Sequence, residues 1–390
     1  MPNVRPSVQN EPALPSFRAR PEQWHAGKAG DIFIKVVQLL AVLFLFLLAL
    51  NLMSGSFRLL GNGFAQELVS ITGNPFVSLF IGLLATAVVQ SSSTTTTLIV
   101  ALVASGEISL TTAVPLIMGA NIGTSVTSTI VSLGHIANRK AYRLAVAGAS
   151  IHDFFNILTV LVVFSLEMST GILSQSAAWL AATISPQAGE PVGNVLFFVK
   201  DAAQGLIGLL GHNPYLTLPL AFVALFTSLH LLSNILRDLL VGKIEQNMNR
   251  YMFGHPLLCM TTGFFSTVAV QSSTITSSLM VPLVATEKIS LERAFPFLMG
   301  ANVGTTTTAL LAALVLGGEA GSAALACACA HLLFNLFGVL ILFPFRHIRN
   351  IPIRLAEGLG NLTLQNRLFG VGYVVLVFFL LPFLLITFTS

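Results

Sequence analysis

The chain has 390 residues, of which 54% are hydrophobic and 9% charged, and its formal net charge is +4. A typical soluble domain carries about 25% charged residues, so an ordinary soluble enzyme is excluded, as is a disordered chain, which would be polar. A mean hydropathy of +0.84 agrees. Several apolar runs reach the length of about 20 residues that a helix needs to cross a bilayer, which makes this an all-α polytopic membrane protein. The small net charge implies no nucleic-acid partner. Cys259, Cys327 and Cys329 form neither a disulfide framework nor a metal-binding spacing.

Residues 1–31 are polar and are expected to form a flexible cytoplasmic tail. The apolar run Ile32–Met53 exceeds the roughly 7–15 residues of a signal-peptide core and is expected to stay as the first transmembrane helix. Hydropathy predicts further spans at 110–134, 143–166, 215–236, 291–316, 322–344 and 370–388. Two more apolar stretches, 75–104 and 257–285, are interrupted at their centres by polar runs. Such a run at membrane depth is tolerated only where it faces protein or a water-filled cavity, so both are expected to be re-entrant helical hairpins. Segments 57–72 and 170–211 read as amphipathic or irregular.

The chain is internally duplicated. Aligning Gln90 with Gln271 at a constant offset of 181 gives 20 identities in 35 ungapped positions, through Thr124 and Thr305. The shared order is Gln-Ser-Ser, then Ile-Ser-Leu, then Met-Gly-Ala-Asn-x-Gly-Thr. A further pair, His152-x-x-Phe155-Asn156 and His331-x-x-Phe334-Asn335, follows at an offset of 179. If each hairpin re-enters, each unit makes three full crossings, and an odd number inverts the second copy. With the N-terminus inside, all of the 19 basic residues but Arg58 and Lys200 fall on the inner side, as the positive-inside rule requires. The expected organisation is therefore a first repeat at 32–166, an external connector at 167–213, an inverted second repeat at 214–345, and a basic loop with a terminal transmembrane helix at 346–390. Inverted repeats with broken helices at matching places are the signature of secondary transporters.

The polar interruptions are Gln90-Ser91-Ser92-Ser93-Thr94-Thr95-Thr96-Thr97 and Gln271-Ser272-Ser273-Thr274-Ile275-Thr276-Ser277-Ser278. Their neutral oxygens suit a small hard cation such as sodium. Their hydroxyls and amide nitrogens, with the N–H groups of a half-helix starting after the break, suit an anion. A second element is Gly119-Ala120-Asn121-Ile122-Gly123-Thr124, mirrored by Gly300-Ala301-Asn302-Val303-Gly304-Thr305, with Pro115 and Pro296 four residues before each. A proline followed by two glycines weakens a helix and frees carbonyls, although a close-packing seam is the other use of such glycines. The amides of Asn121 and Asn302 need partners inside a membrane. The hydroxyls of Thr129 and Thr308 continue this polar face.

The third element is His152-Asp153. Of 15 acids only Asp153 lies deep within a predicted span, where a carboxylate is a functional candidate and sodium its natural partner. Leu332 stands at the matching place in the second copy. His152 and His331 read as hydrogen-bonded helix residues. No Arg or Lys sits deep in a span, so a dianion entering here has no fixed cationic partner. Co-bound cations can supply it, and anion and cation binding then become mutually dependent.

The paired Gln-Ser-Ser hairpins, the Gly-Ala-Asn-Ile-Gly-Thr-Ser run and the His-Asp-Phe-Phe-Asn stretch resemble the type II sodium-dependent phosphate cotransporters, and the chain resembles a bacterial member of that family. The resemblance covers about 75–166 and 257–343. It implies sodium-driven import of inorganic phosphate, as the divalent ion, with the two motifs at the centre of the site. On this reading Gln90, Ser91, Ser92, Gln271, Ser272 and Ser273 bind phosphate. Ser93, Thr124, Thr129, Asp153, Asn156, Asn121, Asn302, Thr305, Thr308 and Thr274 bind sodium. The resemblance also implies that Asp153, with Ala147 and Ala149 before it, marks an electrogenic transporter. His135 and Asn138 depart from the family pattern at two further positions of one sodium site, and Thr274 departs from a serine.

The expected activity is thus alternating-access transport with no catalytic residues and no cofactor beyond co-transported sodium. The partners are phosphate, sodium and the bilayer of the inner membrane, with a homodimer left open. Transport of another anion, a dicarboxylate or sulfate, is the alternative. An ion channel lined by the Ser/Thr faces comes after it, and a membrane enzyme last, because no acid–base pair suited to hydrolysis accompanies the serines.

Overall fold

The computed structural model describes residues 29–184, 193–231, 235, 255–315 and 318–389. The expected tail lies outside these residues up to position 28, as do the basic residues Arg237, Lys243 and Arg250 between the repeats. Among the described residues every regular element is helical, and seven helical stretches are long and apolar enough to cross a membrane. These are Val37–Leu60, Leu110–His135, Arg139–Thr170, Pro214–Leu231, Leu291–Leu314, Ala320–Leu342 and Leu368–Phe388, one for each predicted span.

Helix α1 (Ala29–Thr72) is one element of 44 residues. The segment 57–72, expected to be separate, continues it, since no proline or cap interrupts the chain before Gly73-Asn74-Pro75. There Asn74 accepts a hydrogen bond from the Phe76 amide and Pro75 takes the first helical position, starting α2 (Pro75–Val89). Helix α3 (Ser92–Ser105) returns after two residues. Its partner pair in the second half is α10 (Pro256–Val270) and α11 (Ser273–Ala285), again with a proline at the first position. Helices α2 and α10 have 15 residues each, about 22 Å at 1.5 Å per residue, which falls short of the ~30 Å hydrocarbon core.

Helix α4 (Leu110–Gly123) is followed by α5 (Val126–Ser132), with the regular helix, though not its right-handed course, interrupted at Thr124-Ser125. The matching helix α12 (Leu291–Val315) runs unbroken through Gly300 and Gly304. The expected break is therefore present only in the first copy. In the second, the hydroxyls of Thr305, Thr306 and Thr307 donate to the carbonyls of Ala301, Val303 and Gly304 within the continuous helix. The glycines themselves serve close packing. A Cβ on Gly82, Gly119 or Gly123 would meet the backbone of Leu116, Leu79 or Leu83, where α2 crosses α4. A Cβ on Gly263, Gly300 or Gly304 would meet Phe297, Met260 or Phe264, where α10 crosses α12. Every one of these contacts repeats at the offset of 181.

Helix α6 (Arg139–Thr170) carries the His-Asp-Phe-Phe-Asn stretch, and α13 (Gly318–Leu342) is its counterpart. Between the halves lie α7 (Ile172–Ile184), α8 (Gly193–Leu209) and α9 (Pro214–Leu231), so most of the described connector is helical. The Glu167 carboxylate binds the Leu173 amide at 2.7 Å and the Ser174 hydroxyl, which fixes the α6–α7 corner. The expected basic loop is an amphipathic helix, α14 (Arg346–Gln365). It lies on the start of α6, where Gly360 meets the Arg143 carbonyl and Arg143 donates to Asn361 at 3.2 Å. The chain ends in α15 (Leu368–Val375) and α16 (Leu381–Thr389), joined by a wider helical turn.

The halves interlock. Helix α3 packs on α12 and α13, whereas α11 packs on α5 and α6. Each hairpin's second arm thus rests on the other half, with Phe155 and Phe295 in edge contact at 6.0 Å behind it.

Candidate functional site

The two polar interruptions form turns of the same shape. Gln90 ends α2 at φ 56°, ψ 26°, and Gln271 ends α10 at φ 53°, ψ 27°. This left-handed region costs a non-glycine residue roughly 1–2 kcal/mol. A glutamine there in both copies indicates that the side chain is wanted at the turn. Ser91 and Ser272 follow in extended conformation, and their Oγ atoms accept from the amides of Thr94 and Ile275 at 3.3 Å. The first-turn N–H groups of α3 and α11 point at these turns, and the serine oxygen satisfies one of them in each case. The turns meet, because the Thr274 hydroxyl donates to the Gln90 carbonyl at 3.5 Å.

Helices α2, α3, α4, α5, α10 and α11 contain no Asp, Glu, Lys or Arg. The turns are therefore polar but uncharged, and Asp153 is carried by α6, which packs on α11. Asp153 is fully buried, and its Oδ2 accepts from Thr129 of α5 at 3.4 Å. Its Oδ1 accepts no hydrogen bond of normal geometry, although the hydroxyls of Ser125 and Tyr373 lie near enough to interact with the carboxylate. Ser128 of α5 shares a 2.8 Å hydrogen bond with Ser277 of α11, which ties the second hairpin to the Asp153 region. A carboxylate ringed by hydroxyl oxygens is the donor set a hard monovalent cation takes. Among the described residues no group of three His, Cys, Asp or Glu could hold a transition metal.

The asparagines form a chain of amides between the halves. The Asn302 carbonyl oxygen lies 2.5 Å from His152 Nε2, and its amide donates to Asn156 Oδ1 at 2.7 Å. Asn156 donates to the Asn121 main-chain carbonyl at 2.8 Å. Asn335 of α13 donates to Asn121 Oδ1 at 3.2 Å, and Asn121 donates to the Ile117 carbonyl at 2.9 Å. All are buried. His331 is buried as well, but neither ring nitrogen has a hydrogen-bond partner within the protein, against the expectation of a hydrogen-bonded histidine.

The structure thus brings Gln90, Ser91, Gln271, Ser272 and Thr274 to one meeting point, with Ser92, Ser93 and Ser273 in the first turns beneath them. Thr308 reaches the same point by donating to Gln271 Oε1 at 2.8 Å. Thr129 joins Asp153, and Asn121, Asn156 and Asn302 join one another. Thr124 and Thr305 donate back to their own helices, to Ala120 and Ala301. Reading the sequence missed Tyr373, which reaches Asp153 from the terminal span and has no counterpart in the duplication to flag it. It also missed Asn335 as a partner of Asn121, a pairing that the position of Asn335 opposite Asn156 could have suggested.

Two comparisons with known proteins bear on this site. The family described as Na+/Pi-cotransporter matches residues 45–178 and 224–366, which include both turns and Asp153. Sodium-dependent phosphate transport protein 2A of Ovis aries is 33% identical over 434 residues, covering 91% of this chain and 68% of that protein. Sodium-dependent phosphate transport protein 2B of Homo sapiens is 31% identical, covering 89% of this chain and 64% of that protein. No solved structure matches the chain.

Proposed function

Because the chain belongs to the Na+/Pi-cotransporter family, we propose that it imports inorganic phosphate across the inner membrane by sodium-coupled alternating access. The observation that carries the reading is the meeting of two uncharged Gln-Ser turns, one from each half, with the second hairpin packed on α6, whose Asp153 is fully buried. Phosphate would take the hydroxyls and amides of Gln90, Ser91, Ser92, Gln271, Ser272 and Ser273, with the first-turn N–H groups of α3 and α11 behind them. Two half-helix N-termini favour an anion, but they cannot neutralise a dianion in a dry site. Sodium supplies the remaining charge.

The proposed sodium ligands are Asp153 and Thr129, then Ser93, Thr274, Thr305 and Thr308 near the turns, and Thr124 at the break. Asn121, Asn156 and Asn302 complete the set through lone pairs left over from their mutual bonds. Three or more sodium ions accompanying one dianion would make transport electrogenic, whereas two would leave it electroneutral. The short helix pairs enter from opposite faces as re-entrant hairpins, and three full crossings per unit invert the second. That reading is supported by helices of about 22 Å and by turns that nevertheless meet. The N-terminus is then cytoplasmic.

The test is uptake of labelled phosphate into proteoliposomes with simultaneous current. Uptake driven by a sodium gradient, abolished by choline and carrying net positive charge is expected. Uptake indifferent to the replacement of sodium would overturn the reading, and competition by sulfate or a dicarboxylate would redirect the substrate.

A further inference from the structure

The duplication lets each hydrogen bond be compared with its mirror image, and two side-chain pairs are made while a mirror group of each is buried without a partner. Thr308 donates to Gln271 across 2.8 Å. The mirror residues are Thr127 and Gln90. Thr127 Oγ1 is buried with no hydrogen-bond partner, and Gln90 is exposed whereas Gln271 is half-buried. His152 pairs with Asn302 at 2.5 Å. The mirror residues are His331 and Asn121, and both ring nitrogens of His331 are unpartnered while Asn121 turns its amide to Ile117. The helices differ as well, for regular α-helix lapses at Thr124-Ser125 and runs on through Thr305-Thr306. These differences are not written in the residue types, because every partner needed for the missing bonds is present in the sequence. One member of each mirror pair is made, and the other is open.

We infer that the unmade pairs, Gln90 with Thr127 and His331 with Asn121, are the latches of the opposite-facing state. They close as Gln271–Thr308 and His152–Asn302 open. His152, His331 and Thr127 are then positioning residues that set which hairpin turn is exposed. Buried polar groups without partners are costly, and a mirror arrangement that satisfies them while releasing their counterparts leaves the two states close in energy. The exchange rests on the alternating-access reading above, and it adds which contacts do the exchanging.

The test uses the full chain, whose own cysteines are all buried. A single cysteine is introduced at Val89 or at Val270, the mirror residues just before each glutamine. Its modification by a membrane-impermeant thiol reagent is followed in right-side-out and inside-out vesicles without phosphate. Thr127→Val and His331→Leu each remove a latch of the unseen state and leave the existing bonds alone. Each should raise the ratio of Val89 to Val270 labelling at least threefold, and His152→Leu should lower it by a similar factor. If His152→Leu fails to fold, the first two variants still decide the question. A ratio unchanged in Thr127→Val and His331→Leu, or shifted by these two in opposite directions, overturns the inference. Sodium-dependent phosphate uptake of the chain without either latch change is measured in parallel. A shifted ratio without such uptake sinks the substrate and leaves the exchange standing, whereas normal uptake with a static ratio sinks the exchange alone.

Discussion

The turns at Gln90 and Gln271 have backbone angles within 3° of one another, yet their side chains live differently. Gln271 is held by Thr308 and the Val268 carbonyl, whereas Gln90 is exposed. Around them the differences divide into two kinds. Some are chemical: Asp153 faces Leu332, Thr129 faces Leu310 and Ser128 faces Ala309 in the mirror, so the carboxylate-and-hydroxyl site exists once. Others are conformational, where matching residues make a bond in one mirror pair and leave it open in the other. On the function and the exchange proposed above, the chemical differences would bear on what is carried and the conformational ones on which state is seen.

The comparison is broken most severely at the shared packing seam. Gly119→Val and Gly300→Val each push a side chain into facing backbone, at Leu79 and at Met260. Each should cost more than about 3 kcal/mol or prevent folding, to the same extent in both halves, as thermal unfolding in detergent will record. Next come the turns themselves. Gln90→Ala or Gln271→Ala should lower phosphate uptake about ten- to a hundredfold, on ~1.5–3 kcal/mol for a hydrogen bond to a charged group, with the protein still in the membrane. Normal uptake in both variants would make the turns structural.

A third change sharpens the chemical asymmetry. Asp153→Gly should lower the charge moved per phosphate, and Leu332→Gly should not, as read from current and isotope flux together. Unchanged charge in the aspartate variant would remove it from the cation site.

The smallest effect is expected at the turns between the second arm of each hairpin and the next helix. Glu107 and Lys288 are mirror residues there, with Glu287 beside the latter. Lys140 sits 2.6 Å from Glu287 and holds its carboxyl below the ordinary range, while burial pushes the Glu107 carboxyl up. The lowered group favours the folded state above the unfolded carboxyl range and loses that contribution as pH falls through its folded value. The raised group works the other way and favours folding more as pH falls. Both the Glu287 pair and its lysine are exposed, so Glu287→Gln should leave the thermal midpoint at neutral pH unchanged within error. Glu107→Gln should raise it slightly.

Much of this was legible beforehand because membrane helices declare themselves by length and apolarity, and all seven spans did so. The turns were legible because a Gln-Ser-Ser run inside an apolar stretch has no packing reason to occur twice. Other features were not. The glycines at 119, 123, 300 and 304 suited either a broken helix or a seam, and only the facing carbonyls of α2 and α10 decided for the seam. Helix α14 read as a loop, because a basic amphipathic stretch becomes a helix with a defined seat only when α6 offers it the Arg143 carbonyl and Asn361 a partner. The break at Thr124-Ser125 and its absence in α12 could not follow from motifs that are nearly identical.

By itself the sequence determined the membrane class, the duplication, the uncharged turns and the lone Asp153, since each depends on residue type and order along one chain. The tertiary structure decided which hydroxyl meets which amide across the halves, and which of two mirror sets is made. Those choices depend on tertiary contacts, 37 positions apart for Gln271 with Thr308 and about 150 for the pairs across the halves, where equal partners compete and the side-chain list alone favours neither.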